Sequence, residues 1–190
     1  MKPSPDRRVT IASGPRHGVE EAIRARLDWI TQKHGRKVSL IGWSLGGVFA
    51  REAAREQPDK VRQVISLGSG FAIRPSATTV GSVFEKLSGR RIDEWVSEER
   101  AAIIRQPPPV PATSIYSRTD GIVAWQGCLE LEGPQSENIE VESSHCGIGH
   151  HPASLYAVAD RLAQPEGQWR PFERTGLRRF VYRQPPANPA

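Results

Sequence analysis

A chain of 190 residues, 37% hydrophobic and 25% charged, is long enough for one domain with a single buried core and too apolar for wholesale disorder. Its excess of five positive charges is scattered: the tight arginine pairs Arg7-Arg8, Arg90-Arg91 and Arg178-Arg179 sit near acids or prolines and form no aromatic-interleaved stripe, so no nucleic-acid partner is expected. No apolar run approaches the roughly 18 residues that cross a bilayer, and Met1 to Arg8 lacks the apolar stretch of a secretory signal, so no integral membrane segment and a cytoplasmic location are expected.

Three prolines and several glycine or serine breaks mark the first eighteen residues, with one short β-type run at Val9-Thr10-Ile11. Ile23, Leu27 and Ile30, with Val19 and Ala22 on the same side, predict a helix over Val19–Lys33 that ends at His34-Gly35. Val38–Gly42 reads as a buried parallel strand, Leu45–Glu56 as a helix stopped by Gln57-Pro58, and Val61–Leu67 as a second strand closed by Gly68. Thr113–Ser117 and Asn138–Glu142 are the third and fourth strands, and Ala153–Leu162 is a last helix. Strands alternating with helices predict a mostly parallel sheet with flanking helices, an α/β fold. Between the second and third strands lies an insertion, about residues 71–111, helical over Val83–Ile104 and closed by the stiff run Pro107-Pro108-Pro109. Residues 1–165 form the expected domain, and 166–190 a basic, Pro- and Arg-rich tail docked through Trp169, Phe172, Phe180 and Tyr182, its end from Gln184 expected mobile.

The sharpest motif is Gly42-Trp43-Ser44-Leu45-Gly46-Gly47, where a strand ends and a helix begins. A nucleophile on so tight a turn needs small residues two before and two after it, here Gly42 and Gly46. The turn projects the Ser44 hydroxyl away from the sheet, and the Leu45 N–H at the helix start points at a developing oxyanion. A serine needs a base, and the base a carboxylate that fixes its tautomer. Asp120 follows the third strand directly, 76 residues after Ser44, with Gly121 as a tight exit. Asp59, Asp93 and Asp160 are placed worse, at a strand start, in the insertion and in the last helix. His145, His150 and His151 all lie in the loop after the fourth strand; His145 is favoured because it is nearest the strand end, and His150 remains the rival. His145, Cys146, His150 and His151 also supply ligand-type side chains within seven residues, but their spacing matches no closed zinc pattern, so no metal is expected. The two cysteines, Cys128 and Cys146, are too few for a disulfide framework and read as free thiols.

These three segments, Gly42–Gly47, Ile115–Val123 and Ser144–Gly147, resemble the α/β-hydrolase superfamily, and within it bacterial esterases and triacylglycerol-lipase-like proteins, over about residues 18–172. The resemblance implies a Ser44–His145–Asp120 triad that cleaves carboxylic esters without a cofactor. It also implies that Trp43, Phe71 and Trp125 lie near the substrate. The same site would suit a thioesterase, lactonase or acyltransferase, and a non-catalytic remnant of the fold is a further alternative. The chain departs from the family before the elbow strand: only 37 residues precede Val38, so the fold is expected to be truncated at its front strands. His17-Gly18 is the lone upstream pair of the type that supplies a second oxyanion donor, and it opens a helix. Three expectations follow from that departure: self-association through the uncovered edge of the first strand, modest activity, and a preference for short acyl chains.

Overall fold

The computed structural model describes residues 18–72, 98–131 and 133–186. Four strands, β1 (Val38–Trp43), β2 (Val61–Leu67), β3 (Ala112–Tyr116) and β4 (Ser136–Glu140), form one parallel sheet in that order. Helices α1 (Val19–His34), α2 (Leu45–Glu56), α3 (Glu98–Arg105) and α4 (Pro152–Ala163) accompany them, with short 3-10 turns at Trp125–Cys128 and Gly176–Phe180. The expected strand at Val9-Thr10-Ile11, His17, most of the helix expected over Val83–Ile104, and Ala187 to Ala190 lie outside the described residues.

Local chemistry sets the element ends. Gly35 terminates α1 in the left-handed region at φ 59°, its N–H donating to the Thr31 carbonyl at 2.8 Å. β2 is covered on both faces, so every residue but Arg62 is buried, Gln63 and Ser66 included. Val61 and Val64 pack with Leu27 of α1 and Ala50 and Ala54 of α2, with Val38 and Leu40 of β1 beside them. Ile65 and Leu67 join Ile115, Ile139 and Val141 beneath Ala153 and Ala157 of α4. β4 starts two residues before the expected strand, because its polar opening is fully partnered. Glu137 accepts from Thr113 Oγ1 at 3.0 Å, Arg161 Nη1 at 2.8 Å and the Phe172 N–H at 2.7 Å. The Asn138 amide exchanges two hydrogen bonds with the Glu130 backbone.

The chain after α4 is part of this packing. Phe172 and Tyr182 belong to the α4-side core, and the Tyr182 hydroxyl donates to the Ala153 carbonyl at 2.9 Å. Of the other two aromatics expected to dock it, Trp169 is half-buried and Phe180 is exposed.

Two fully buried arginines join the layers. Arg161 of α4 pairs with Glu137 and Asp160 and donates to the Arg170 carbonyl. Arg51 of α2 pairs with Glu130, donates to the Ile104 and Gln106 carbonyls, and lies 3.7 Å over the Phe71 ring. Burial, reinforced by the charge of Arg55, pushes the Arg51 guanidinium down to about 9. Removing one member of a buried pair leaves the other's charge uncompensated. Arg51→Met should therefore cost about 3–5 kcal/mol in urea unfolding, and adding Glu130→Leu should recover most of that loss.

Candidate active site

Ser44, Asp120 and His145 meet at the C-terminal ends of the parallel strands, where three loops converge. The first is the turn from β1 into α2. Ser44 has φ 54° and ψ −126°, and it is the one non-glycine residue with positive φ among those described. Such a conformation costs on the order of 1–3 kcal/mol and needs support from its surroundings. That support is visible: the Ser44 N–H donates to the Leu67 carbonyl of β2 at 2.9 Å, and the Ser44 carbonyl accepts from the Gly47 N–H at 3.1 Å.

The turn is tight enough to exclude side chains, though not at both expected places. A Cβ on Gly42 would sit 2.3 Å from the Gly46 carbonyl oxygen and 2.4 Å from the Gly47 Cα, a clash with backbone. A Cβ on Gly46 would meet nothing within 4 Å. The expectation for Gly46 is thus corrected, and the crowded position is Gly47. A Cβ there would come within 2.1 Å of Ser69 Oγ and 3.0 Å of the Ser66 Cβ. The helix turn carries Gly46 outward and presses Gly47 onto the end of β2.

Asp120 enters from the loop after β3, and Gly121 at φ 77° allows the chain to bend back at once. Oδ1 of Asp120 accepts from the Ile122 N–H at 3.0 Å and the Val123 N–H at 2.6 Å. Oδ2 is 2.8 Å from Nδ1 of His145. Burial works to raise the Asp120 pKa, but the hydrogen bonds from His145, Val123 and Ile122 outweigh it and hold the carboxyl below the usual carboxylate range.

His145 lies between β4 and α4. Its backbone N–H donates to the Asp120 carbonyl at 2.9 Å, and its Nε2 is 3.0 Å from Ser44 Oγ. Ser117 Oγ accepts from both the Thr119 and Ser143 N–H groups, so one buried hydroxyl fastens the acid loop to the histidine loop. Ser44, His145 and Asp120 thus form a continuous hydroxyl–imidazole–carboxylate chain, with the latter two 4% exposed. Leu45 opens α2, so its N–H is among the four that a helix start leaves without an intrahelical acceptor.

The other residues singled out in the sequence stand elsewhere. His150 is exposed, and so is Cys146, while Cys128 is buried. Phe71 is buried beneath Arg51 with Val48 and Ile104. Trp125 stacks on Tyr116 and lies under the Arg118 guanidinium. Trp43 does reach the chain, since its indole N–H donates to the His145 carbonyl at 3.0 Å. Among the described residues, no three His, Cys, Asp or Glu side chains gather as a metal would require. Gly68 has a role that its strand-closing position did not suggest. It sits at φ 53°, and a Cβ there would lie 3.1 Å from Asp120 Oδ2 and 3.4 Å from His145 Nδ1. A glycine directly after a buried parallel strand is the signal that could have found it.

A family model described as the α/β hydrolase fold matches residues 7–87. No curated protein is a sequence match for the chain. Among solved structures it is similar to lipase B of Aspergillus fumigatus, at TM-score 0.59 and 18% identity over 76% of this chain and 41% of that one. Lipase BlEst2 of Bacillus licheniformis is similar at TM-score 0.55 and 18% identity, over 74% of this chain and 72% of that one. A monoacylglycerol lipase of Paleococcus ferrophilus follows at TM-score 0.51 and 17% identity, with 74% and 72% covered. The chain therefore spans less than half the length of the Aspergillus enzyme.

Two predictions concern this site. Gly42→Ala and Gly47→Ala should abolish reactivity of Ser44 toward a fluorophosphonate, whereas Gly46→Ala should retain it and gain about 0.5–1 kcal/mol in thermal or urea unfolding. Because the folded state lowers the Asp120 pKa, its contribution to stability is present above the unfolded value of about 4 and is lost as pH falls through the folded one. Asp120→Asn should accordingly flatten the loss of stability seen on acidification below about pH 5, measured by urea titration at stepped pH.

Proposed function

We propose, for a chain with the α/β-hydrolase fold, that it is a serine hydrolase cleaving carboxylic esters through an acyl-enzyme. One observation carries the reading: Ser44 Oγ lies 3.0 Å from His145 Nε2, and Asp120 Oδ2 lies 2.8 Å from Nδ1 of the same ring. That is hydrogen-bond reach for a nucleophile and its base, with the base oriented by a third group. The lipases among the structurally similar proteins support an ester as the substrate. Phe71 and Trp125 are engaged by Arg51 and by Tyr116 and Arg118, which supports a small acyl site.

In the proposed cycle His145 takes the Ser44 proton as Oγ bonds to the ester carbonyl carbon. The carbonyl oxygen becomes an oxyanion and receives the Leu45 N–H. As the tetrahedral species collapses, the bond to the alkoxy oxygen breaks, and His145 Nε2 delivers its proton to the departing alcohol. Water then gives a proton to the same nitrogen and its oxygen to the acyl carbon. The acid leaves, and Ser44 recovers its proton. Asp120 stays ionised, keeps the Nδ1 proton in place and stabilises the imidazolium. A carboxyl held below its usual range suits that role.

Hydrolysis of p-nitrophenyl esters of graded acyl length tests the proposal, with the serine variant as control. The wild type should turn over the short esters, and Ser44→Ala should lose about four orders of magnitude or more in kcat. Full activity in that variant would overturn the reading.

A further inference from the structure

We propose that Trp43 is a positioning residue that clamps the histidine loop to the nucleophile strand, an inference that rests on the serine-hydrolase reading above. Trp43 precedes Ser44 at the end of β1, so the geometry that fixes the hydroxyl also fixes the start of the indole side chain. The indole N–H donates to the backbone carbonyl of His145 at 3.0 Å across 102 positions of sequence. Its ring lies over the imidazole, with centroids 5.6 Å apart and planes 37° from parallel.

Among the described residues, the other main-chain hydrogen bonds around His145 that leave its loop come from one side. The His145 N–H donates to the Asp120 carbonyl, the Ser143 N–H to Ser117 Oγ, and Thr119 Oγ1 to the Ser143 carbonyl. Each ties the loop to the exit of β3. Further in, the Ile148 N–H donates to the Ser144 carbonyl within the loop itself. These bonds place the backbone of His145 relative to Asp120, while Ile148 seats the loop in the α4-side core and the ring itself meets Ser44 Oγ. Trp43 supplies the constraint in the other direction. It grips the same residue at its carbonyl, on the Ser44 side, so His145 is held at its N–H by the acid's residue and at its carbonyl by the nucleophile's neighbour.

A tryptophan that is 45% exposed would ordinarily be read as a wall for substrate. The clamp makes a different prediction. A wall changes KM and the preference among acyl chains. A clamp changes the proton transfer common to every substrate and leaves binding alone.

Trp43→Phe keeps an aromatic ring and removes the N–H donor. It should lower kcat about tenfold for every ester in a graded p-nitrophenyl series, with KM within about twofold of wild type. The rate of Ser44 labelling by a fluorophosphonate should fall in parallel. The proton between His145 Nδ1 and Asp120 should give a low-field NMR resonance in the wild type that broadens in Trp43→Phe through faster exchange. An unchanged kcat with an unchanged resonance overturns the clamp, as does an effect confined to KM or to long acyl chains. A wild type that hydrolyses no ester and takes no label at Ser44 overturns the serine-hydrolase reading instead. The resonance still decides the clamp in that case, because it requires no turnover.

Discussion

Ser44 occupies a backbone conformation that an L-residue rarely adopts, and the rest of the site is arranged around keeping it there. Gly42 lets the backbone of α2 come within contact distance of the strand end, and Gly47 seats the first helical turn against Ser66 and Ser69. The hydrogen bond from the Ser44 N–H to Leu67 anchors the turn to β2, an inner strand of the sheet. With the turn fixed, the side chain has one direction to point, and Oγ meets the imidazole rather than capping its own helix. Strain here is a means of holding a hydroxyl outside the packed interior while its backbone remains inside.

The scaffold around it holds two buried arginines in ion pairs. Arg51 and Arg161 lie wholly within the protein, each meeting carboxylates and main-chain carbonyls together. Pairs of this kind contribute little net stability compared with apolar residues of the same volume, but they penalise any arrangement that separates the partners. Arg51 links α2 to the end of α3 and to the stretch after the Trp125–Cys128 turn, while Arg161 links α4 to β4 and to the chain that follows it. α4 is therefore tied to the strand that precedes His145, and α2 to the segments that flank β3 on either side.

Much of this was legible in the residues because it is local. The 3.6-residue spacing of Ile23, Leu27 and Ile30 marks α1, and the stretches before Gly42 and Gly68 mark two strands; the second is buried as expected, but the first is a sheet edge with Ile41 and Trp43 exposed, because nothing among the described residues pairs with its outer side. Asp120-Gly121 after β3 is a turn whose position in the fold gives it meaning. What escaped is set by contacts distant in sequence. The first two residues of β4 look like loop until Arg161 and Phe172 arrive to satisfy Glu137. Gly46 and Gly47 are indistinguishable in a motif, and only the packing of α2 on β2 tells which of them is crowded. Arg51, on a helix carrying several charges, has the look of a solvent-facing residue until Glu130 is seen opposite it. The reach of Trp43 to the His145 carbonyl has no local signature at all.

The way α3 is held has a consequence of its own. Arg51 donates to the carbonyls of Ile104 and Gln106, and Arg55 to those of Ile103, Ile104 and Gln106, which are main-chain groups that every amino acid carries. Apart from the buried Ile104 side chain, this docking recognises the path of the polypeptide and not its composition. Substitutions could therefore accumulate along that connection over evolutionary time without loosening its attachment. The grip belongs to two arginines on the helix that follows Ser44, so α3 is freed to diversify while that helix stays unchanged.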